Sequence, residues 1–308
     1  MQNNRIIIIG SYLVALVMDT DRLPVQGETL LARNFRQTHG GKGSNQAVQA
    51  ARLGAPTDFI GFVGKDSYGS SFINLCQNEN IDVSKIKISD RLPTGAGFII
   101  CSSNGHNIIT IDIGANLDMS QKAIDELTTD IHPGDFVLIQ LEMPVESALY
   151  AAKVVKKQGA TVILNPAPGA DLSSQDLSCI DFITPNESEA RVCFGWDLKT
   201  TISDEEAAKK LYLLGCKNVI VTQGDKGCLI LNENGFCKVP AFKFPEIVDS
   251  TGAGDSFNAA LAVALFEGKS LPDACRFANA SAGLACTKSD TIPSFHFRRE
   301  VDKFLNNM

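Results

Sequence analysis

The sequence predicts an α/β fold, a mostly parallel central sheet with helices on both faces, with a small separate β-sheet attached to it. Three observations predict it. Short β-branched runs alternate with longer stretches of helical period, the pattern of strands joined by crossover helices. Two segments, residues 12–38 and 95–111, break that rhythm with the alternation of paired strands. Hydrophobic residues make up 44% of the chain and charged residues 20%, enough apolar material to bury a substantial core. No Pro/Gly/Ser-rich linker, internal repeat or low-complexity tract divides residues 1–308, so they read as one domain.

Taken in order, Ile6–Ile9 is a buried strand, because four consecutive isoleucines leave no polar face. Gly43–Leu53 is a helix with Ala47, Ala50 and Ala51 as small packing residues. Phe59–Val63 is a strand and Ser70–Asn78 a helix. Phe136–Gln140, Val145–Lys157 and Thr161–Leu164 form a strand–helix–strand unit. Phe182–Thr184 and Val219–Thr222 are further strands, flanked by helices near Asp204–Leu214 and Gly254–Phe266. Of the two irregular segments, residues 12–38 turn around Pro24-Val-Gln-Gly27. Residues 95–111 turn around Ser102-Ser-Asn-Gly105, a hairpin signal of several residues containing glycine. Together they form either a lid over a ligand cleft or ordinary surface hairpins; pattern alone leaves both open.

Composition excludes several classes of function. Lys and Arg number 28 against 35 Asp and Glu, a net charge of −7 with no basic run, which argues against a nucleic-acid surface. The longest apolar stretches are far too short to span a bilayer. The N-terminus lacks the apolar core and cleavage site of a secretory signal. The nine cysteines stand singly, with no Cys-x-x-Cys pair and an odd total, so neither a disulfide framework nor a zinc site is expected. They read as small core residues in a reducing cytoplasm. The four histidines are isolated too, and no protein-built metal site follows.

Two glycine-rich stretches carry chemistry. Asp249-Ser-Thr-Gly-Ala-Gly-Asp255-Ser-Phe-Asn258 precedes the apolar helix Ala259–Phe266. Glycines before a helix allow tight turns and let unpaired N–H groups point at an anion, aided by the helix dipole. A carboxylate in that first turn, Asp255, is a candidate general base beside an anion pocket. The plain alternative is that Asp255 only stabilises the helix start. Gly40-Gly41-Lys42-Gly43-Ser44-Asn45 also opens a helix; its glycines let a ligand approach closely, and Lys42 and Asn45 offer hydrogen bonds to hydroxyls. There the alternative is a glycine-rich turn with a solvated lysine. Neither stretch is a Walker loop, a dinucleotide fingerprint or a Gly-x-Ser-x-Gly elbow, which weakens the P-loop, dehydrogenase and hydrolase readings.

Together the two stretches resemble the paired signatures of the ribokinase-like (PfkB) family of carbohydrate kinases. Gln140-Leu-Glu142-Met-Pro, Leu164-Asn-Pro-Ala-Pro168, Thr184-Pro-Asn186-Glu-Ser-Glu189 and Val221-Thr-Gln-Gly-Asp-Lys-Gly227 follow in the family's order, so the resemblance covers nearly the whole chain. It implies an ATP-dependent kinase acting on a small sugar or sugar-like alcohol. Asp255 matches the catalytic base, and Gly252, Ala253 and Gly254 match the anion hole. Asn186 and Glu189 match the motif that arranges magnesium and phosphates through water. Thr222, Gly224 and Lys226 match the nucleotide-binding loop, with Asn279 near the adenine. Gly41, Lys42, Asn45 and Glu142 match sugar contacts. The family uses MgATP and often a monovalent cation such as potassium, here expected at Asp249. It closes a β-sheet lid, here residues 12–38 and 95–111, that frequently mediates homodimers. Phosphoryl transfer asks for positioning and charge neutralisation, and a lid keeps water out.

The sequence departs from the family in two places. Leu13 and Ala15 replace an Asn and an Asp that grip the sugar's secondary hydroxyls. Burying an unpaired hydroxyl costs roughly 1–3 kcal/mol, which argues against ribose and for a less polar acceptor, such as a deoxy-sugar or a nucleoside-like compound. Asp290 stands where the family has glycine, in the loop beside the cation. Two other readings remain: a ligand sensor on a kinase fold, and a nucleoside kinase of the same family.

Overall fold

A computed structural model describes residues 4–103, 106–197 and 202–308. In chain order the elements are β1 (Ile6–Ile9), β2 (Leu13–Thr20), β3 (Arg33–Gly40), α1 (Lys42–Arg52), β4 (Thr57–Gly64), α2 (Ser67–Asn78) and β5 (Ile86–Ser89). There follow β6 (Gly95–Ser102), β7 (Asn107–Asp112), α3 (Gln121–Leu127), β8 (Phe136–Ile139), α4 (Val145–Lys157), β9 (Thr161–Leu164) and β10 (Phe182–Ile183). The last third holds α5 (Glu187–Val192), α6 (Asp204–Leu213), β11 (Asn218–Thr222), β12 (Cys228–Asn232), β13 (Gly235–Val239), α7 (Ala253–Phe266), α8 (Leu271–Ala285) and α9 (Arg298–Asn306).

Nine strands form one sheet in the order β13-β12-β11-β10-β9-β8-β1-β4-β5. From β11 to β5 every pairing is parallel; β12 and β13 add an antiparallel edge. Alternation along each strand divides the core in two. Ile6, Ile8, Phe59 and Ile220 face a layer containing α1, α7 and α8, while Ile7, Ile9, Ile60 and Val219 face α3, α4 and α6. A fully buried Ile or Leu stabilises the fold by about 1.5–3 kcal/mol, so a strand with apolar residues on both faces belongs in the middle of the sheet. The mostly parallel sheet with helices on both faces is the predicted one, and the antiparallel edge is an addition to it.

The irregular segments build the second sheet, ordered β3-β2-β6-β7. Each segment pairs with itself antiparallel, as expected, and the two are joined by a parallel pairing of β2 with β6. Asn104 and Gly105 of the expected hairpin turn lie outside the described residues. Polar caps start several helices. Ser203 accepts the N–H of Glu206, and Ser270 accepts that of Asp273 with a proline in the first turn. Among the described residues no helix is long and apolar enough to cross a membrane.

Candidate active site

The chain leaves β1 for β4 on one side and returns to β8 on the other, so the order reverses between β1 and β8. Open α/β sheets bind ligands outside the carboxyl ends of strands at such a switch point. Here Ser11, just after β1, donates its hydroxyl to Glu142, just after β8. Asn165, Thr184 and Thr222 stand at the carboxyl ends of the neighbouring strands β9, β10 and β11.

The first glycine-rich turn lies directly on this end of β1. Gly41 has φ +92°, and a Cβ there would come within 2.8 Å of the Leu13 nitrogen; one on Gly43 would meet the Ser11 nitrogen at 2.4 Å. Only glycine permits both the left-handed backbone and the close approach. The turn thereby brings the Lys42 N–H to Glu142 Oε2 at 2.7 Å and starts α1 with Asn45 and Gln46 facing inward.

Across the crevice, α7 begins at Gly252 with φ +81°. The first turn of a helix has N–H groups without intrahelical partners. The Ala253 N–H, one of the expected donors, is taken by the Ser250 carbonyl at 3.2 Å, and that of Ser256 by Gly252 at 2.9 Å, which leaves the N–H groups of Gly252, Gly254 and Asp255 without a backbone acceptor in a turn that lines the cavity. The Asp255 carboxylate is buried and held from α1: Asn45 Nδ2 donates to Oδ2 at 2.8 Å and Gln46 Nε2 to Oδ1 at 3.1 Å. Gln46 is itself fixed, since Gln140 donates to its Oε1 at 2.7 Å and its Nε2 also reaches Asn165 at 3.2 Å.

Two buried acids, Asp255 and Glu142, and the half-buried Glu189 act on one lysine. Burial pushes the carboxyls of Asp255, Glu142 and Glu189 above their usual range, and Lys42 pulls each back. Burial alone would lower the Lys42 ammonium, but Asp255, Glu142 and Glu189 outweigh it and hold Lys42 above the ordinary lysine value. Asn186 and Glu189 form a capping box on α5, in which the Asn186 side chain accepts the Glu189 N–H at 2.8 Å and the Glu189 carboxylate accepts the Asn186 N–H at 2.9 Å.

A cavity of about 810 Å³ runs outward from Lys42 and Asp255, within the range of small-molecule and cofactor sites. Its lining joins Gly252, Ala253, Gly254, Asn186, Glu189, Thr222, Gly224 and the buried Asn279 to half-buried Phe242 and Phe244 and to Ile247, whose exposure marks the outer end. The Asn279 amide donates to the Val239 and Pro240 carbonyls at 3.2 Å each. Gly41, Asn45 and Glu142 join the site through the bonds above rather than by lining the cavity. Lys226 does not line the cavity; its 69% exposed side chain lies 3.6 Å from Glu187, which does. Asp249 lies behind the α7 turn, where its carboxylate accepts the N–H of Thr251 at 2.9 Å and of Asp290 at 3.2 Å.

Leu13 and Ala15 are 4% and 9% exposed on one face of β2, opposite Gly40 and Thr38 of β3. The nearby acids do not replace the missing polar groups, because Asp19 is bonded to Arg36 at 3.1 Å and Asp21 to Arg33 at 2.7 Å. Sequence reasoning missed Gln46, Asn165 and Asn258. The last accepts from Thr184 at 2.5 Å and donates to the Gly254 carbonyl at 2.8 Å. Asn165 and Asn258 lie inside quoted motifs and Gln46 directly follows one, and that position was the available signal.

A parallel-sheet crevice with a glycine turn opening a helix and a buried carboxylate beside it is the site architecture of an α/β enzyme. The profile described as pfkB family carbohydrate kinase matches residues 3–298. Ribokinase of Haemophilus influenzae is 36% identical over 306 residues, covering 97% of this chain and 98% of that protein. Deoxyribokinase of Salmonella typhi is 32% identical over 302 residues, covering 98% of each. The structure of Arabidopsis thaliana ribokinase, in complex with ribose and ATP, superimposes with a TM-score of 0.85 at 32% identity over 99% of both chains. The chain therefore belongs to the pfkB family of carbohydrate kinases, and it is a phosphotransferase with an alcohol group as acceptor.

Proposed function

We propose that the protein transfers the γ-phosphoryl group of ATP to a hydroxyl of a small sugar or sugar-like acceptor, with Asp255 as general base and the Gly252–Gly254 turn as anion hole. One observation carries this reading: a buried carboxylate, clamped by two side-chain amides, sits in the same helical turn as free N–H donors at the inner end of a nucleotide-sized cavity. The clamp aims Asp255 and stabilises its charged form, while Asn45 and Gln46 supply no competing proton acceptor to it. As the acceptor hydroxyl loses its proton to Asp255, charge on the transferring phosphoryl meets the Gly254 and Asp255 amides. Lys42, beside Asp255, adds positive charge where both substrates meet. The buried Asn45 Oδ1 has no partner within the protein, and we assign it to an acceptor hydroxyl, together with Gly41, Lys42 and Glu142.

The donor is placed along the cavity through Asn186, Thr222, Gly224 and Asn279, with its base at the apolar outer end. Among the described residues no cluster of three or more His, Cys, Asp or Glu side chains forms a metal cage. The half-buried carboxylate of Glu189, on the cavity lining, suits a magnesium ion that arrives on the phosphates and meets it through water; when bound it would neutralise phosphate charge. A monovalent cation such as potassium is assigned to Asp249. Residues 1–308 act as one kinase unit whose second sheet is the lid, and exposed Phe98, Ile108, Ile109 and Ile111 on that sheet support a homodimer formed through it. We place the enzyme in the cytoplasm, where ATP and reduced cysteines coexist.

For the acceptor, the apolar pair Leu13 and Ala15 supports a deoxy-sugar or a nucleoside-like compound over ribose. Each unpaired hydroxyl buried against such a pair costs about 1–3 kcal/mol, roughly 5- to 150-fold in specificity. Relatives named for ribose and for deoxyribose are similarly distant, so these two residues carry the choice. The test is an ATP-consumption panel of ribose, deoxyribose, other pentoses and hexoses, and nucleosides. The highest kcat/KM is expected for an acceptor lacking a secondary hydroxyl, and ribose at the top of the ranking would overturn the assignment.

A further inference from the structure

A side chain of the second sheet reaches the loop behind the anion-binding turn. Arg36, on β3, donates from Nη1 to Asp19 Oδ1 at 3.1 Å and from Nε to Asp290 Oδ1 at 3.4 Å. Its aim is set within the sheet: the β2–β3 register shifts between Val17 and Asp19, and Asn34 donates to the other oxygen of Asp19 at 3.1 Å. The far end of the pair is braced as well. Asp290 follows α8 with φ +64°, a left-handed backbone that Asp tolerates better than most residues. Its N–H donates to Asp249 Oδ2, whose other oxygen accepts the Thr251 N–H. Beside it, Thr291 packs on the next residue of the turn, for a Cβ on Gly252 would lie 2.4 Å from Thr291 Cγ2. Two separate contacts thus run from residues 290–291 to the turn, one to Asp249, which holds Thr251, and one to Gly252.

We propose that Arg36 is a positioning residue, which through Asp290 couples closure of the lid to the setting of the anion-binding turn. The turn is then held for phosphoryl transfer while the lid covers the acceptor, which suits a reaction that water would divert to ATP hydrolysis. The inference rests on reading residues 250–255 as the anion-binding turn. Arg36 and Asp290 are each about one-third exposed, and ion pairs of that exposure change an equilibrium by about two- to fivefold.

The experiment compares Arg36→Ala, Asp290→Asn and the double variant with the wild type, by amide hydrogen exchange and by kinetics with ribose and deoxyribose. Asn keeps the tolerance for positive φ and removes the charge. Each single variant is expected to exchange about two- to fivefold faster both in residues 33–40 and in residues 249–256, and to lose a similar factor in kcat/KM, with the double variant no worse than either. Arg36→Lys, which keeps the charge, is expected to recover part of the protection. Faster exchange confined to the lid, or losses that add in the double variant, would overturn the coupling. The exchange measurements need no turnover, so they decide the coupling even if the Asp255→Asn variant shows that the anion-turn reading is wrong.

Discussion

Replacing Asp255 by Asn removes the proposed base and leaves its shape. One carboxylate oxygen becomes an NH2 group, which must face either Asn45 Nδ2 or Gln46 Nε2, both donors. Gln46 cannot turn over, because its oxygen already accepts from Gln140 and its nitrogen also serves Asn165. Asn45 can, because its Oδ1 is buried without a partner. Rotating the Asn45 amide converts a clash of donors into a hydrogen bond, so the fold tolerates the change. General-base catalysis contributes about 100- to 10,000-fold, or about 3–5 kcal/mol of barrier; kcat is expected to fall by that factor while acceptor binding persists. Stability should move the other way. The folded pKa of Asp255 lies above its unfolded value, so the stability it contributes is complete below the unfolded value and is lost as pH rises through the folded one. The amide carries no such loss, and near neutral pH the variant should melt at or above the wild-type temperature. ADP release, acceptor calorimetry and thermal melts measure the three quantities. A variant that keeps more than about a tenth of wild-type kcat would refute the base assignment. Loss of acceptor binding along with turnover, in a protein that still melts cooperatively, would make Asp255 a binding group instead.

Lys42→Met removes the cation that pulls the Asp255 carboxyl down, so that pKa should rise further and the acid limb of kcat/KM against pH should move to higher pH; an unmoved limb would disconnect Lys42 from the base. Gly252→Ala imposes a left-handed backbone costing about 1–2 kcal/mol and a 2.4 Å contact with Thr291. Melting should fall by about 2–4 °C or more, and turnover should fall more steeply because the donors are displaced. Gly283→Ala places a Cβ 2.1 Å from the Phe244 ring. Overpacking of about 1–2 kcal/mol should raise KM for ATP roughly 5- to 30-fold without changing KM for the acceptor, and steady-state kinetics with each substrate varied separate the two.

How much of this was legible depended on whether the signal was local. Ile6–Ile9 and Val145–Lys157 could be read because burial on both faces, or on one helical stripe, leaves a continuous pattern in one short window. β5, with Ile-Lys-Ile-Ser, escaped notice because its two middle residues are exposed and leave no continuous apolar run, and α8 was hidden because alanine, serine and asparagine fill much of its buried stripe. In the site, the glycine turns were legible for the same reason they function, since a left-handed residue or a 2.4 Å backbone approach admits no other side chain. Amides carry no such mark. A glutamine in a helix is ordinarily a surface residue, and Gln46 becomes a clamp only when the carboxyl ends of β8 and β9 converge with α7, across separations of 94 to 209 residues. Lys226 shows the converse, a residue in the right motif whose exposed side chain pairs with Glu187 at the edge of the cavity without lining it.

The same distinction bears on the acceptor. The catalytic half of the site is built from groups that phosphoryl transfer itself requires, so its glycines and Asp255 can vary little while the chemistry stays the same. In the proposed arrangement the second sheet covers the part of the acceptor that does not react, where the requirement is that buried hydroxyls be paired. An apolar pair at Leu13 and Ala15 can therefore replace hydrogen-bonding residues without disturbing Asp255, because the pair lies on β2 of the second sheet and Asp255 in the first turn of α7. Reaction type and acceptor preference are physically separable here. It follows that restoring polar residues at both positions, Leu13→Asn with Ala15→Asp, should raise kcat/KM for ribose relative to deoxyribose by at least the roughly fivefold that one satisfied hydroxyl is worth. The Asp255-dependent pH profile should be unaltered, and a shift in that profile without a change in preference would show that the two halves are not separable.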